Sequence, residues 1–202
     1  MKLICIENNF AAYNKYAGFA LTRTETPAIC ILPDTSLLKD SRPFFVPDAA
    51  VPCTVGLQLA VRISRLGRSI GARFAERYYD AATVAATFTA RELFGKLRKA
   101  GFPWTGAKAF EGSVAVGAWK PLESGLPQRL SLKVGDRGTI SGRTAEMLRP
   151  VGEIVACVSR MMTLRQGDIL LLGPMDAEIP AEPDTHVSGI MENEEVLHFN
   201  IK

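Results

Sequence analysis

The chain has 202 residues, of which 47% are hydrophobic and 22% are charged, and its formal net charge is +3. This composition excludes a disordered chain and is typical of one globular domain, which we expect to span residues 1–202. The basic residues are spread along the chain, so we expect no nucleic-acid partner, and no apolar run reaches the ~18 residues of a membrane helix, so we expect no membrane span.

Cysteine usage and the N-terminus bear on the compartment. The sequence contains no CxxC pair, which favours small core residues in a reducing environment over zinc ligands. The apolar stretch before Glu7 is too short for a secretory signal. We therefore expect a cytoplasmic protein. The four cysteines are Cys5, Cys30, Cys53 and Cys157.

The first third of the chain alternates between strand and turn signals. Alternation of apolar and polar residues predicts a half-buried strand over Met1–Glu7 and a second strand over Val55–Ile63. Helical spacing of aromatic residues follows over Asn8–Tyr16, and an apolar strand is predicted within Pro27–Leu38. Three prolines in Lys39–Pro52 indicate a loop and edge segment.

The remaining elements follow the same pattern. A short helix is predicted over Ala72–Asp80, before a strand that begins near Thr83. Gln128–Val134 alternates as a strand, Pro150–Thr163 is an amphipathic helix, and Asp184–Lys202 ends the chain in alternating strands. Many short strands with few helices predict a mainly β fold of the α+β class.

Two segments carry a resemblance to a known family. Thr83–Phe94, TVAATFTARELF, resembles the TVANDVTARDLQ segment of the fumarylacetoacetate hydrolase (FAH) superfamily. Residues 56–70, GLQLAVRISRLGRSI, resemble its ExELAVVIGKxGRxI strand pair, and residues 164–174, LRQGDILLLGP, resemble LxPGDxxxTGTP. The resemblance implies an FAH-like rolled mixed β-sandwich with a few peripheral helices, assembled as a homodimer.

The same resemblance places a metal site whose ligands have changed. In the family, the two glutamates of ExE and the aspartate of ND hold a divalent cation, and these places are Gly56, Gln58 and Thr87 here. Gly56 has no side chain and Gln58 offers only a neutral oxygen, whereas a hard dication needs several oxygen ligands. We therefore expect no metal cofactor.

A catalytic dyad is also replaced. The family's RNYxxHxxE segment supplies a histidine and a glutamate that activate water, and NNFAAYNKY places Tyr13 and Tyr16 at these positions. A tyrosine with its usual pKa of about 10 is a poor base at neutral pH.

The best-retained polar residues lie elsewhere. In AKAFEGSVAVGAW, residues 107–119, Lys108 matches the lysine that faces the substrate in the family, and Glu111 stands in the place of an aspartate. Lys108 either binds an anion in a cleft that excludes water or forms an ion pair with Glu111 on the protein surface. The candidate ligand-binding residues are Lys108, Glu111, Gln58, Thr87 and Arg91. Arg91 belongs to the sequence TAR, residues 89–91, which the chain shares with the family motif.

Three hypotheses follow from these substitutions. The first is a non-catalytic protein that binds a small carboxylate or 2-oxo acid through Lys108 beside Gln58 and Thr87. The second is an active hydrolase, decarboxylase or isomerase of 2-oxo or 1,3-diketo acids whose site residues have moved. The third is a structural role, with the former cleft filled by Tyr13, Tyr16 and Leu172.

The second hypothesis makes a geometric prediction. Its substitute metal ligands or acid–base groups would come from Glu76, Asp80, Glu92 or Glu111, with Mg²⁺ or Mn²⁺ as cofactor. At least two of these carboxylates should then converge on Lys108.

Overall fold

A computed structural model describes residues 1–20, 22–38, 42–123 and 125–202. The helices are α1 (Ala11–Ala17), α2 (Arg91–Lys99) and α3 (Val151–Met161), with 3₁₀ turns at Asp34–Ser36, Asp48–Ala50, Ala72–Tyr78, Thr105–Ala107 and Thr144–Glu146. The strands are β1 (Leu3–Ile6), β2 (Ile29–Leu32), β3 (Leu37–Leu38), β4 (Cys53–Ile63), β5 (Tyr79–Ala90), β6 (Val114–Val116), β7 (Lys120–Pro121), β8 (Arg129–Val134), β9 (Gly138–Arg143), β10 (Ile169–Pro174), β11 (Ile179–Pro180), β12 (Thr185–Met191) and β13 (Glu194–Ile201).

The strands form two sheets, one of them mixed. The larger has the order β2-β1-β10-β4-β5-β6-β3, with β11 paired to β4 and β7 paired to β5. Within it, β1 and β10 are parallel, whereas β4 pairs antiparallel with both β10 and β5. The smaller sheet has the order β13-β12-β8-β9 and is antiparallel throughout. This arrangement confirms the predicted rolled, mixed β fold.

The main hydrophobic core lies between the two sheets. Alternate residues of β4, from Val55 to Ile63, share one buried cluster with Leu132 of β8 and Phe199 of β13. A Cβ on Gly189 of β12 would lie 2.8 Å from Val84 of β5, so the sheets approach closely here. Because side chains alternate along a strand, the intervening residues of β4 and β5 point to the opposite face of the large sheet.

That opposite face is buried as well. Leu3 and Cys5 of β1, Ala60 of β4 and Ala85 of β5 form a second apolar cluster there. The prediction of a half-buried first strand was wrong in this respect, because every residue of β1 is buried. The cause is its position between β2 and β10, in a sheet covered on both sides.

The other predicted elements are mostly confirmed. A helix begins at Ala11 and another at Val151, close to their predicted places, whereas the segment from Ala72 to Tyr78 is 3₁₀ rather than α-helical. Lys39–Ser41, part of the predicted loop and edge segment, lie outside the described residues. Among the described residues, no helix has the length and apolar character needed to span a bilayer.

Candidate functional site

Lys108 lies inside the protein rather than on its surface. It follows the 3₁₀ turn Thr105–Ala107, its backbone N–H donates to the Thr105 carbonyl at 2.9 Å, and its own carbonyl accepts from the Ser113 hydroxyl at 2.6 Å. The residue is 4% exposed. A buried ammonium is stable only with anionic or hydrogen-bonding partners, so the groups around it define the site.

The first anionic partner is Glu7, which directly follows β1. Its Oε2 lies 3.0 Å from Lys108 Nζ, and the side chain is 1% exposed. Apart from this ammonium, neither Glu7 oxygen has a hydrogen-bond partner among the described residues. Glu7 therefore keeps acceptor capacity that the fold does not use.

The second anionic partner is Glu178, which directly precedes β11. Its Oε1 lies 4.0 Å from Lys108 Nζ and accepts from Thr89 Oγ1 at 3.0 Å, and its Oε2 accepts from Thr54 Oγ1 at 2.5 Å. Lys108 Nζ also donates to Thr89 Oγ1 at 3.3 Å. The two carboxylates and the ammonium thus form one network.

The absence of a side chain at position 56 makes room for Glu178. Ile179 of β11 pairs with Val55 of β4, so the register places Glu178 beside Gly56. A Cβ on Gly56 would lie 3.1 Å from Glu178 Cγ, which is tighter than ordinary van der Waals contact. A carboxylate from a neighbouring segment therefore lies beside the position at which the motif resemblance implies a glutamate.

Gln58 and Thr87 are buried on the same face of the sheet. Gln58 Nε2 donates to Thr87 Oγ1 at 2.8 Å, and its Oε1 accepts from the Gly173 N–H at 3.1 Å. Gly56 and Thr87 are direct cross-strand neighbours in the pairing of β4 with β5. The amide of Gln58 thus links β5 to the end of β10 and orders this part of the site.

Aromatic side chains cover the cluster. Tyr13 of α1 is fully buried, with its ring centroid 6.0 Å from Lys108 Nζ, and its hydroxyl has no hydrogen-bond partner among the described residues. The guanidinium of Arg91 lies 4.4 Å from the ring centroid of Tyr16, which is half-buried. The ring centroid of Phe94 lies 5.2 Å from Lys108 Nζ, so aromatic rings of two helices shield the ammonium from solvent.

The electrostatics follow from this burial. Desolvation alone would lower the pKa of Lys108, but attraction to the carboxylates of Glu7 and Glu178 outweighs it, so the pKa lies well above its ordinary value and the ammonium stays charged. Burial raises the pKa of the Tyr13 hydroxyl, which stays neutral. Burial and the charge of Glu178 raise the pKa of the Cys53 thiol to about 12.

The structure brings together some of the predicted site residues and not others. Lys108, Gln58 and Thr87 are buried on one face of the sheet, and Arg91 lies at its edge over Tyr16. Glu111 is exposed, so the alternative of a Lys108–Glu111 surface pair was wrong.

The four substitute carboxylates proposed from the sequence are all exposed. Asp80 pairs with Arg62 at 3.0 Å and Glu92 pairs with Lys96 at 2.6 Å, so these carboxylates do not serve Lys108. Their expected convergence on Lys108 was wrong, but two carboxylates that the sequence analysis did not select, Glu7 and Glu178, converge there instead. The other two exposed carboxylates are Glu76 and Glu111.

Comparison with known proteins settles the family. The family model described as fumarylacetoacetate (FAA) hydrolase C-terminal matches residues 2–195. The chain belongs to this family. The resemblance inferred from the strand and turn segments is therefore confirmed.

Relatives of the chain include named enzymes. It is 31% identical over 185 residues to oxaloacetate tautomerase YcgM of Escherichia coli strain K12, covering 90% of this chain and 84% of the relative. A crystal structure of a fumarylacetoacetate hydrolase family protein from Yersinia pestis CO92 matches with a TM-score of 0.91 and 30% identity, over 100% of this chain and 93% of that one. These relatives support an enzyme of the family over a non-catalytic protein.

A third comparison concerns the cation. Fumarylpyruvate hydrolase from Pseudomonas aeruginosa, solved with Mn²⁺ and pyruvate, shares the fold with a TM-score of 0.88 at 23% identity, covering 100% of this chain and 89% of that one. In this chain the donor set does not fit a divalent cation. Gly56 offers no ligand, the amide of Gln58 is hydrogen-bonded at both ends, and the ammonium of Lys108 already lies beside both nearby carboxylates.

No group of three or more His, Cys, Asp or Glu side chains in the described part of the chain is arranged to hold a metal ion. The expectation of no metal cofactor stays a prediction, to be tested by direct binding.

Proposed function

We propose that the chain is an active enzyme of the FAH family that catalyses proton transfer on a small 2-oxo acid, of the keto–enol tautomerisation type. The observation that carries this proposal is the convergence of Glu7 and Glu178 on Lys108 in a buried site. The name of the E. coli relative, oxaloacetate tautomerase, supports oxaloacetate or a similar 2-oxo acid as the substrate class.

The residues suit such a reaction. Glu7, whose oxygens have no hydrogen-bond partner among the described residues apart from Lys108, takes a proton from the carbon next to the oxo group. Lys108 donates a hydrogen bond to the oxo oxygen, on which negative charge develops, and a preorganised ammonium in a dry site stabilises that charge strongly. The product at this stage is an enolate held against Lys108.

The proton balance closes within the cluster. Lys108 transfers a proton to the enolate oxygen to give the enol, and Glu7 returns the abstracted proton to Lys108 across 3.0 Å. Glu178 keeps its hydrogen bonds to Thr54 and Thr89 and balances the charge of the ammonium from the other side.

Proton transfer fits the site better than hydrolysis. Hydrolysis of a 1,3-diketo acid needs a base that activates water, and the positions of the family's histidine and glutamate are Tyr13 and Tyr16. Burial raises the pKa of both tyrosines, which makes them still poorer bases at neutral pH.

We also propose, from the family resemblance and the sequence, a homodimer in the cytoplasm.

The test is the conversion of enol oxaloacetate to its keto form by the purified protein, followed by loss of enol absorbance. We expect catalysis by the wild type and a loss of roughly 10²-fold or more in kcat/KM for Glu7→Gln and Lys108→Met. Lys96→Met is the matched control, because Lys96 is an exposed lysine paired with a glutamate and should retain full activity.

Two results would overturn the proposal. A folded wild type that binds oxalate, a mimic of the enolate, but converts none of oxaloacetate, an acylpyruvate or a related 2-oxo acid would support the non-catalytic carboxylate binder. A folded wild type that neither binds oxalate nor turns over these acids would support the structural role.

A further inference from the structure

The three places of the family's cation ligands are taken up by the protein itself. Glu178 crosses the space above Gly56, with its Cγ 3.1 Å from where a Cβ would stand. Gln58 Nε2 donates to Thr87 Oγ1 at 2.8 Å, and the remaining amide oxygen of Gln58 accepts from the Gly173 N–H. Gly56, Gln58 and Thr87 are therefore each engaged in a contact within the protein. None of these three residues carries a carboxylate, and the carboxylate beside Gly56 is that of Glu178.

A positive charge is already present in this cluster. Lys108 Nζ lies 3.0 Å from Glu7 and 4.0 Å from Glu178, and it is in hydrogen-bond contact with Thr89. A dication that used either carboxylate would meet this ammonium at short range, in a site where little water screens the repulsion. It would also have to break the hydrogen bonds that Thr54 and Thr89 donate to Glu178.

From these contacts we infer that the ammonium of Lys108 takes the place of the divalent cation, so that this chain binds the enolate of a 2-oxo acid without metal. Position 56 lacks the glutamate of the family motif, and Glu178 places a carboxylate beside it. This carboxylate holds the ammonium of Lys108 rather than a metal ion. The part of the inference that concerns the substrate rests on the proposed function, whereas the part that concerns the metal does not.

The first experiment measures binding rather than activity. Wild-type protein freed of metal with a chelator is titrated with MnCl₂ by calorimetry, and then with oxalate in the presence and absence of Mn²⁺. We expect no heat of Mn²⁺ binding, and binding of oxalate that is unchanged by Mn²⁺. We expect Lys108→Met to lose oxalate binding, while Lys96→Met retains it.

A variant with restored ligands provides the positive control. Gly56→Glu with Thr87→Asp returns two carboxylates to the sheet, and Glu178→Ala removes the side chain that would collide with the new glutamate. We expect this triple variant to gain Mn²⁺ binding, because a dication favours several anionic oxygens. Since the wild type is measured directly, the result does not depend on the folding of this variant.

Activity separates the two proposals. Turnover of oxaloacetate that is unchanged by a chelator supports both of them. Turnover that a chelator abolishes and Mn²⁺ restores, or tight Mn²⁺ binding by the wild type, overturns the inference and leaves the proposed function standing. Absence of turnover in a wild type that binds oxalate without Mn²⁺ overturns the proposed function and leaves the metal-free binding site standing.

Discussion

Replacing Lys108 with methionine should destabilise the protein strongly. The substitution keeps the length of the side chain but leaves Glu7 and Glu178 buried without the ammonium that lies 3.0 and 4.0 Å from them. Removing one partner of a buried ion pair costs about 3–5 kcal/mol, because the remaining charge has lost its compensation. For a chain of this size, that corresponds to a fall in Tm of roughly 6–20 °C.

The deficit should depend on pH in a defined direction. Without Lys108, two carboxylates are buried with no positive charge beside them, and burial favours the neutral form of a carboxyl group. A group with a raised folded pKa stabilises the fold at low pH and loses this contribution as the pH rises. The difference in unfolding free energy between wild type and Lys108→Met should therefore be smaller at pH 5 than at pH 8.

The assay is urea unfolding followed by circular dichroism at both pH values. Lys96→Met is the control, since its exposed pair with Glu92 should contribute less than about 1 kcal/mol. Adding Glu7→Gln to Lys108→Met should recover part of the loss, because it removes one of the two uncompensated carboxylates. A Lys108→Met protein as stable as the Lys96→Met control at pH 8 would refute the buried-charge reasoning.

Three further predictions concern the surroundings of the site. Tyr13→Phe should raise the unfolding free energy by about 1–3 kcal/mol in urea melts, because it removes a buried hydroxyl for which no described residue provides a partner; a loss of stability would contradict this. The unfolding free energy of the wild type should fall as the pH rises from 9 towards 12, since the pKa of Cys53 is raised from 9.0 to about 12 in the fold. Cys53→Ala should make this decline less steep in urea melts at pH 8, 10 and 11. A decline as steep as that of the wild type would count against this prediction. Gly173→Ala should cost more than about 1 kcal/mol, because Gly173 has φ +90° and a Cβ would lie 2.7 Å from the Ile6 carbonyl oxygen; a Tm equal to that of the wild type would exclude this strain.

Much of the fold could be predicted from local patterns. Period-two alternation marks β4 and β8, and helical spacing marks α3, because the side-chain periods of strand and helix differ. The pattern could not show that β1 is buried on both faces, since this depends on the strands that flank it. The family resemblance supplied the arrangement of strands that periodicity alone leaves open.

The candidate site was only partly predictable. Lys108, Gln58 and Thr87 stand in segments that match the family, so their selection as site residues followed from the alignment of motifs. Glu7 was missed because it ends an apolar strand, where it resembles an ordinary boundary residue.

Glu178 was missed for a different reason. It contacts Thr54, 124 residues away in the chain, and reaches it only through the pairing of β11 with β4. One signal could have found it: the loss of a carboxylate at Gly56, beside a retained lysine at Lys108, calls for a compensating carboxylate from a spatial neighbour. The four carboxylates predicted to serve Lys108 are close to the motifs in sequence but exposed in the fold; they are Glu76, Asp80, Glu92 and Glu111.

The most direct test of the active-site assignment is a crystal structure of the metal-free wild type with oxalate. We predict an oxalate oxygen within hydrogen-bond distance of Lys108 Nζ. Oxalate bound away from Lys108, or held through a metal ion at Gly56 and Thr87, would contradict the account.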